Sequence, residues 1–319
     1  MTKPEESSYT ENMERWDIEK IRASVNKFDF ANNTVYFDFY NNTHADLENL
    51  NKHLFDKRPD LILQVATATK DNTYLAPLPS LKNVKKLYLT GYSSLNEIKG
   101  MDQLEYLSIY NLSNKKTLDI EFLEGLNNLE ELRLSAKVKN IDPVGKCKNL
   151  KLLYLSTTLD NYGFMQPLDK IKNVMIDSCI ASNDFAPLNK PTLEELSILQ
   201  INKLENIDGI KDFVSLKKLR ISLSKLKTLP EMNKLENLRE LKLNLKSWEN
   251  PEVLKTIPAL EKLYMEEINP KLDAEKFYFL TEMQTLKKID FRFIDFNKKR
   301  IEKLNKMFAE KGMEDKVVQ

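Results

Sequence analysis

Residues 129–155 read LEELRLSAKVKNIDPVGKCKNLKLLYL and contain the pattern L-x-x-L-x-L twice, with the first leucines 21 residues apart. The second half of the pattern alternates apolar and polar residues with a period of two, which predicts a strand that buries leucine on one face. Pro143 lies between the two copies, in a connection where its missing N–H costs least. The stretch therefore predicts a strand, a short connection and a second strand.

The same pattern recurs ten times along the chain, with first positions 20 to 26 residues apart. The copies begin at Val84, Leu104, Leu129, Leu150, Ile171, Leu193, Leu216, Leu238, Leu260 and Leu286. One copy cannot bury its own leucine face, whereas stacked copies share a continuous core, so the repeat predicts a solenoid. The fifth copy allows a second alignment, because Lys172-Asn173-Val174 echoes Lys82-Asn83-Val84 and would imply a three-residue deletion.

The segments between the strands carry apolar residues at every third position, as in Ile98-Met101-Leu104 and Leu229-Met232-Leu235. A step of three suits 3₁₀ turns or extended backbone better than long α-helices.

On these residues the chain resembles the leucine-rich repeat family over roughly residues 60–293, most closely the bacterial internalin-type repeats of 22 residues. The resemblance implies an α/β solenoid shaped as a horseshoe, with a parallel sheet on the concave face and short 3₁₀ or irregular connections on the convex face. The family usually places Asn three residues after the last strand leucine, where its side chain bonds the turning backbone. Of the ten equivalent positions here, only those of Thr158, Cys179 and Ser224 carry side chains that can imitate this ladder.

Both ends of the chain lack the repeat. Only 5 of the 48 leucines precede residue 75. Residues 28–39 predict a hairpin or two strands with a polar turn, residues 46–55 an amphipathic helix, and residues 61–65 a strand that joins the ladder. Residues 298–310 predict a helix with Ile301, Leu304 and Phe308 on one face and a basic outer face that includes Arg300. We therefore predict an N-terminal β/α cap over residues 1–59, the solenoid over 60–293, and a C-terminal helical cap over 294–319.

Composition excludes several functional classes. The 49 basic and 48 acidic residues nearly cancel, so we expect no nucleic-acid partner, and 7 glycines argue against phosphate-cradling loops. His44 and His53 stand apart from any metal or catalytic motif, and Cys147 and Cys179 predict buried, reduced thiols. We predict no catalytic residue, no metal and no cofactor. With no secretory signal and no apolar run of membrane-spanning length, the sequence predicts a cytoplasmic protein.

The candidate site is the open side of the strands, between the buried leucines. Its first patch is aromatic and apolar with one arginine: Tyr88, Tyr106, Tyr110, Arg133, Leu152, Tyr154 and Met175. Tyrosine and arginine are enriched at interface hot spots, although stacked tyrosines can also serve only to stabilise a sheet. The second patch is basic with one aromatic and comprises Lys218, Arg220, Lys242, Lys262, Tyr264, Lys288 and Arg292. Its candidate contacts are Arg220, Lys242, Tyr264 and Arg292. Interleaved acids allow a second interpretation of this patch as an ordinary solvated rim.

The sequence therefore predicts a non-enzymatic scaffold that binds an unknown protein partner on the concave face, an expectation that the family resemblance also implies. An immunity-type inhibitor that neutralises a toxin or an enzyme is the alternative. A weak binder of anionic surfaces or nucleic acid is the lesser one.

Overall fold

The computed structural model describes residues 15–29, 31–66, 75–92, 94–111, 117–179, 182–201, 203–295 and 298–318. The chain falls into two compact units, Met1–Asn149 and Leu150–Gln319. Within each unit the strands pair in parallel and in sequence order.

The first unit contains five described strands and two described α-helices. In chain order these are α1 (Ile18–Ser24), β1 (Thr34–Phe37), α2 (His44–Leu50), β2 (Ile62–Ala66), β3 (Lys86–Thr90), β4 (Tyr106–Tyr110) and β5 (Glu131–Ser135). A π-helical turn, Asn51–Phe55, continues α2. The connections between the strands carry 3₁₀ turns at Leu78–Ser80, Asn96–Gly100, Glu121–Gly125 and Asp142–Lys146.

The second unit contains seven described strands and one described α-helix. These are β6 (Leu152–Ser156), β7 (Asn173–Asp177), β8 (Glu195–Leu199), β9 (Lys218–Ser222), β10 (Glu240–Asn244), β11 (Lys262–Glu266), β12 (Lys288–Phe293) and α3 (Lys298–Ala309). Its 3₁₀ segments are Gly163–Met165, Ala186–Leu188, Asp208–Asp212, Pro251–Thr256, Ala274–Glu282 and Glu314–Lys316.

The ten predicted repeat strands are confirmed as β3 to β12. The predicted short connections are confirmed as well: each carries a 3₁₀ segment except the one between β9 and β10, which is irregular. The second and third apolar positions of each L-x-x-L-x-L copy lie inside these strands and are buried. Each fully buried leucine contributes about 2 kcal/mol of hydrophobic free energy, so the stabilisation of the core is spread over many repeats. In the fifth copy Val174 lies opposite Leu153, so the alignment without a deletion is the one that the chain adopts.

One ladder of polar side chains runs just before the strands, and a partial one follows them, since Asn111 Nδ2 donates to the carbonyl of Tyr92 and Asn269 Nδ2 to that of Trp248, both at 2.7 Å. Asn128 Nδ2 donates to the carbonyl of Asp102 at 2.9 Å, and Asn149 Nδ2 donates to that of Asn127 at 2.7 Å. Equivalent bonds to the preceding repeat come from Gln103, Thr192, Ser215 and Asn237, and Asn83 makes one to the carbonyl of Asn51 in the π-helical turn. After the strands, Cys179 imitates the usual ladder: its Sγ accepts from the Thr157 N–H at 3.2 Å, whereas Thr158 and Ser224 are exposed.

The predicted N-terminal hairpin is wrong. Among the described residues of 28–39 only β1 is a strand, and it pairs in parallel with β2. Asp29 Oδ1 accepts from the N–H groups of Ala31 and Asn32, which closes a turn and leaves no room for a strand there. Phe30 lies outside the described residues.

Two helices match the sequence prediction, and one does not. The helix predicted over residues 46–55 is confirmed as α2 with its π-helical turn, and the C-terminal helix is confirmed as α3. The sequence did not predict α1, which Asp17 caps by accepting from the Lys20 N–H. Arg300 was predicted on the outer face of α3, but it is buried. The boundaries at residues 59 and 293, and the capping role of the two ends, stay predictions.

Candidate partner-binding surface

The first, third and fifth residues of a strand emerge on the face opposite the buried leucines, because side chains alternate along a strand. Parallel pairing in register lines them up from strand to strand. In the first unit the central row is Tyr36, Gln64, Tyr88, Ser108 and Arg133.

Four tyrosines share this face of the first unit, and we call them the tyrosine surface: Tyr36, Tyr88, Tyr106 and Tyr110. Tyr36 is 59% exposed and Tyr110 is 48% exposed. Partial burial raises the pKa of the Tyr88 hydroxyl, and Tyr110 and Tyr36 raise it further because their hydroxyls lie close to it. Sequence reasoning missed Tyr36, which precedes the repeats.

Tyr106 and Arg133 sit on adjacent strands of this surface. Burial raises the pKa of the Tyr106 hydroxyl, although Ser108 and Arg133 act in the opposite direction. Arg133 Nε donates to Glu131 Oε1 at 2.7 Å, so its charge is partly compensated while the side chain stays exposed. One cluster on this surface therefore contains Tyr88, Tyr106, Tyr110 and Arg133.

The rest of the predicted first patch belongs to the second unit. Leu152, Tyr154 and Met175 are half-buried on the open face of β6 and β7, and Tyr154 lies opposite Met175. The Tyr154 hydroxyl donates to Asp177 Oδ2 at 3.2 Å.

The predicted basic patch is largely neutralised by neighbouring acids. Lys218 contacts Glu195 at 2.6 Å, Lys242 contacts Glu266 at 2.8 Å, and Lys262 contacts Glu240 at 3.8 Å. Lys288 Nζ lies 5.8 Å from the centre of the Tyr264 ring. Among the described residues Arg220 has no carboxylate within 4.0 Å, so it keeps an uncompensated charge on this face.

The register predicted for Arg292 in this patch is wrong, although its side chain stays exposed. A β-bulge shifts the register after Tyr264, so Glu266 lies opposite Phe293 rather than Arg292. Arg292 turns back along its own strand and binds both carboxylate oxygens of Asp290, at 3.0 and 2.7 Å. Phe293, which is 63% exposed, occupies the place on the open face that the sequence assigned to Arg292.

A cleft of about 570 Å³ lies at the carboxyl ends of β7 to β11 in the second unit. Most of its lining residues carry polar side chains, although the stems of these side chains and Cys179 add much apolar surface; the polar ones include Ser178, Gln200, Lys203, Asn244, Lys246 and Glu267. We call it the polar cleft. The periodicity of the sequence gave no sign of it, because most of its residues lie just after the strands or in the connections, and only Ser222 and Asn244 among its lining residues belong to strands.

Three residues of the polar cleft hold the left-handed backbone conformation: Ser178 at φ 50°, Gln200 at φ 53° and Glu267 at φ 43°. No other non-glycine residue among those described has a positive φ. Gly91 follows β3 at the same position and has φ 85°. A side chain in this conformation costs about 1 kcal/mol or more relative to glycine.

The titratable groups that could support metal binding or catalysis are dispersed. Within the described ranges no three His, Cys, Asp or Glu side chains are placed to hold a metal ion. The His44 ring lies edge-on to Phe39 at 5.3 Å between centroids. Burial raises the pKa of Cys147 to about 12 and that of Cys179 to about 11, so both thiols are protonated at neutral pH. In the part of the chain that the structure covers, no helix has the length and apolar character to span a membrane.

No family model matches this sequence, and no curated protein matches it either. Solved structures do. An internalin from Listeria monocytogenes, InlF, is 15% identical, with a TM-score of 0.52 over 86% of this chain and 87% of that protein. A leucine-rich repeat protein of Leptospira interrogans is 18% identical, with a TM-score of 0.44 over 85% and 92%. The ectodomain of the Arabidopsis receptor kinase HAESA, solved with a peptide hormone, is 17% identical, with a TM-score of 0.45 over 76% and 43%.

Only the first of these likenesses is strong enough to bear on architecture. It agrees with the ten repeat strands, their parallel pairing and their 3₁₀ connections. The chain is therefore a protein of the leucine-rich repeat fold, similar in architecture to an internalin.

Proposed function

We propose that this chain is a non-enzymatic module that binds a protein partner on the open face of its strands, with the tyrosine surface as the main contact. The observation that carries the proposal is the exposure of Tyr36 and Tyr110 beside the half-buried Tyr88 and Tyr106. Large aromatic side chains grouped on a rigid sheet are the residues that dominate protein interfaces.

The physical reason is that little ordering is left to do on binding. The backbones of Tyr88, Tyr106 and Tyr110 are fixed by parallel pairing on both sides, and that of Tyr36, on the edge strand β1, by pairing with β2 alone. A tyrosine ring has few rotatable bonds, so burying it costs less entropy than burying a lysine, and its hydroxyl can still bond the partner.

The second unit supplies further proposed contacts. Leu152, Tyr154 and Met175 offer half-buried apolar area, while Arg220 and Tyr264 offer a cation and an aromatic ring on the same face of that unit. Lys242 and Arg292 belong to the proposal with their charges already paired. These ion pairs weigh against the alternative of binding an anionic surface or nucleic acid, since counterion release needs free cations.

The proposal places the protein in the cytoplasm, where buried thiols stay reduced. The burial of Cys147 and Cys179 supports this placement.

The test compares a double variant, Tyr106→Ala with Tyr110→Ala, with the control Tyr40→Ala. Tyr40 is 93% exposed and lies outside the strands of the same unit. Partners captured from native cells by the wild-type chain are identified by mass spectrometry and purified, and their Kd values are then measured by biolayer interferometry. A hot-spot tyrosine contributes about 2 kcal/mol, so we expect the double variant to weaken binding by at least about 30-fold.

The control should leave the Kd unchanged, and the thermal midpoint of all variants should stay close to that of the wild type. A double variant that binds normally, or that loses binding only in step with its stability, would show that the tyrosines merely support the sheet.

A further inference from the structure

The polar cleft lies at the strand ends of the second unit and shares no residue with the tyrosine surface, which belongs to the first unit. Its volume of about 570 Å³ falls in the range of ligand-binding pockets. The function proposed above makes no use of it.

The backbone of the cleft indicates that its side chains are retained for a reason. Gly91 directly follows β3 and has a positive φ of 85°. After β7, β8 and β11 the same conformation is held by Ser178, Gln200 and Glu267, and all three line the cleft. Residues kept in an unfavourable conformation are typical of functional sites, because the folded state alone would favour glycine there.

The side-chain amides of the cleft keep hydrogen-bonding capacity free. The Ser178 hydroxyl donates to Asp177 Oδ1 at 3.0 Å and lies 3.4 Å from Gln200 Oε1, so the Nε2 group of Gln200 stays able to donate. Asn244 Nδ2 donates to Glu267 Oε2 at 2.8 Å, which leaves the Oδ1 atom of Asn244 able to accept. One free donor and one free acceptor are the complement of a peptide group.

The charge of the cleft favours an acidic ligand. Glu267 is held by Asn244 and by Lys246, whose Nζ lies 3.2 Å from Oε1, and both contacts lower the pKa of its carboxyl. Lys203 is exposed and has no carboxylate within 4.0 Å among the described residues. The cleft therefore carries one cation more than it has anions.

We propose that the polar cleft binds an extended peptide segment of a protein, with its backbone on the amides of Gln200 and Asn244 and an Asp or Glu side chain on Lys203. This second site does not depend on the tyrosine surface.

The probe is a library of random dodecapeptides displayed on phage and selected on the full-length chain. Enriched sequences are synthesised with a fluorescent label, both as found and with each Asp or Glu replaced by Asn or Gln, and their Kd values are measured by anisotropy. We expect enriched peptides to share an acidic residue and to bind at least tenfold more weakly once it is neutralised.

Two variants of the chain decide whether the cleft is the site. Gln200→Gly removes the amide while keeping a residue suited to φ 53°, and Lys203→Gln removes the free cation. Each should weaken binding at least tenfold, and Gln200→Gly should keep or raise the thermal midpoint. Lys211→Gln, an exposed lysine in the 3₁₀ segment Asp208–Asp212, should change neither.

Four outcomes would overturn the proposal: no enriched peptide, binding that ignores the acidic residue, binding unchanged by both cleft variants, or a fall of several degrees in the midpoint of Gln200→Gly. The Tyr106→Ala, Tyr110→Ala variant should bind the same peptides normally, so failure of the tyrosine proposal leaves this result intact.

Discussion

Replacing Asp295 by Asn should destabilise the protein more than replacing its partner, Arg300, by Met. Arg300 is only 6% exposed on α3, and its Nη1 atom lies 3.4 Å from Asp295 Oδ2. The same Nη1 donates to the carbonyl of Asn269 at 2.9 Å, and the guanidinium carbon lies 5.6 Å from the centre of the Phe277 ring. The pair therefore fixes α3 against the preceding repeat.

The expected order follows from what each substitution leaves behind. Within the described residues the Nε and Nη2 atoms of Arg300 have no hydrogen-bond partner, and burial lowers the pKa of the guanidinium, although Asp295 and Asp273 oppose that shift. Arginine stays charged in proteins, so Asp295→Asn leaves a buried cation with less compensation. Removing one partner of a buried pair costs about 3–5 kcal/mol, and the remaining charge of Asp273 reduces this to roughly 2–3 kcal/mol.

Arg300→Met removes the buried charge together with its unsatisfied N–H groups. It keeps most of the apolar stem over Phe277 and loses the bond to the Asn269 carbonyl, for a net cost of about 1–2 kcal/mol. In the double variant Asp295→Asn with Arg300→Met no buried cation remains, so its stability should match that of Arg300→Met alone. The size of the coupling in this double-mutant cycle then equals the cost of Asp295→Asn alone, roughly 2–3 kcal/mol.

The assay is urea unfolding followed by tryptophan fluorescence, since Trp248 is fully buried in the same unit. Glu275→Gln serves as the control, because Glu275 pairs with Lys303 of the same helix at 3.4 Å but both side chains are more than half exposed. That variant should leave the unfolding midpoint unchanged. If Arg300→Met proves the more destabilising of the two, the contacts of the guanidinium rather than its compensated charge hold α3 in place.

Two further predictions concern the ladder and the acid limb of stability. Asn128→Ala should lower the free energy of unfolding by about 1 kcal/mol, because a backbone carbonyl of the preceding repeat loses its hydrogen-bond donor. Urea unfolding would detect this loss, and an unchanged unfolding midpoint would mean that water replaces the bond. Partial burial acts to raise the pKa of Asp290, but hydrogen bonds from Arg292 outweigh it and hold that pKa below its ordinary value of 3.8. The stabilisation is therefore present above about pH 3.8 and is lost as the pH falls through the lowered pKa, so Asp290→Asn should flatten the decline in stability below about pH 4. An equally steep decline would contradict this expectation.

Much of the fold could be predicted because the repeat is written in local apolar periodicity. Leu132 and Leu134 alternate with polar residues, and this alternation alone places one face of β5 in the core. The helix α3 is similarly visible, since Leu304 and Phe308 are one turn apart and both are buried. Patterns of this kind depend only on which side chains are buried, and the spacing of apolar residues in the sequence indicates this directly.

The N-terminal strand pairing could not be predicted in the same way. The polar turn after Phe28 suggests a hairpin, but β1 pairs with β2, whose residues begin 25 positions after the end of β1. Pairing over such a distance depends on tertiary packing, which outweighs local turn chemistry. Tyr36 was missed for a related reason: Val35 and Phe37 flank it with the correct alternation, but no repeat spacing draws attention to it.

On the candidate surfaces, alternation predicts which side chains emerge but not what they bind. Lys242 emerges where expected, yet its pairing with Glu266 depends on rotamers that no period specifies. The register of Arg292 was predicted wrongly because a β-bulge shifts the pairing of β11 with β12 after Tyr264. A bulge of this kind does not change the apolar pattern of the sequence.

The polar cleft shows a further limit of sequence-based prediction, which concerns positions with a left-handed backbone. A scarcity of glycine, 7 in 319 residues, suggests a chain with few left-handed positions. The structure instead places Ser178, Gln200 and Glu267 in that conformation, at the position that Gly91 occupies after β3. Where only the turn conformation matters, glycine is the least strained residue. A serine, glutamine or glutamate at the same turn therefore indicates that its side chain has a role other than stabilising the fold. Three such substitutions at one cleft therefore argue for a site there more strongly than the depth of the cleft does.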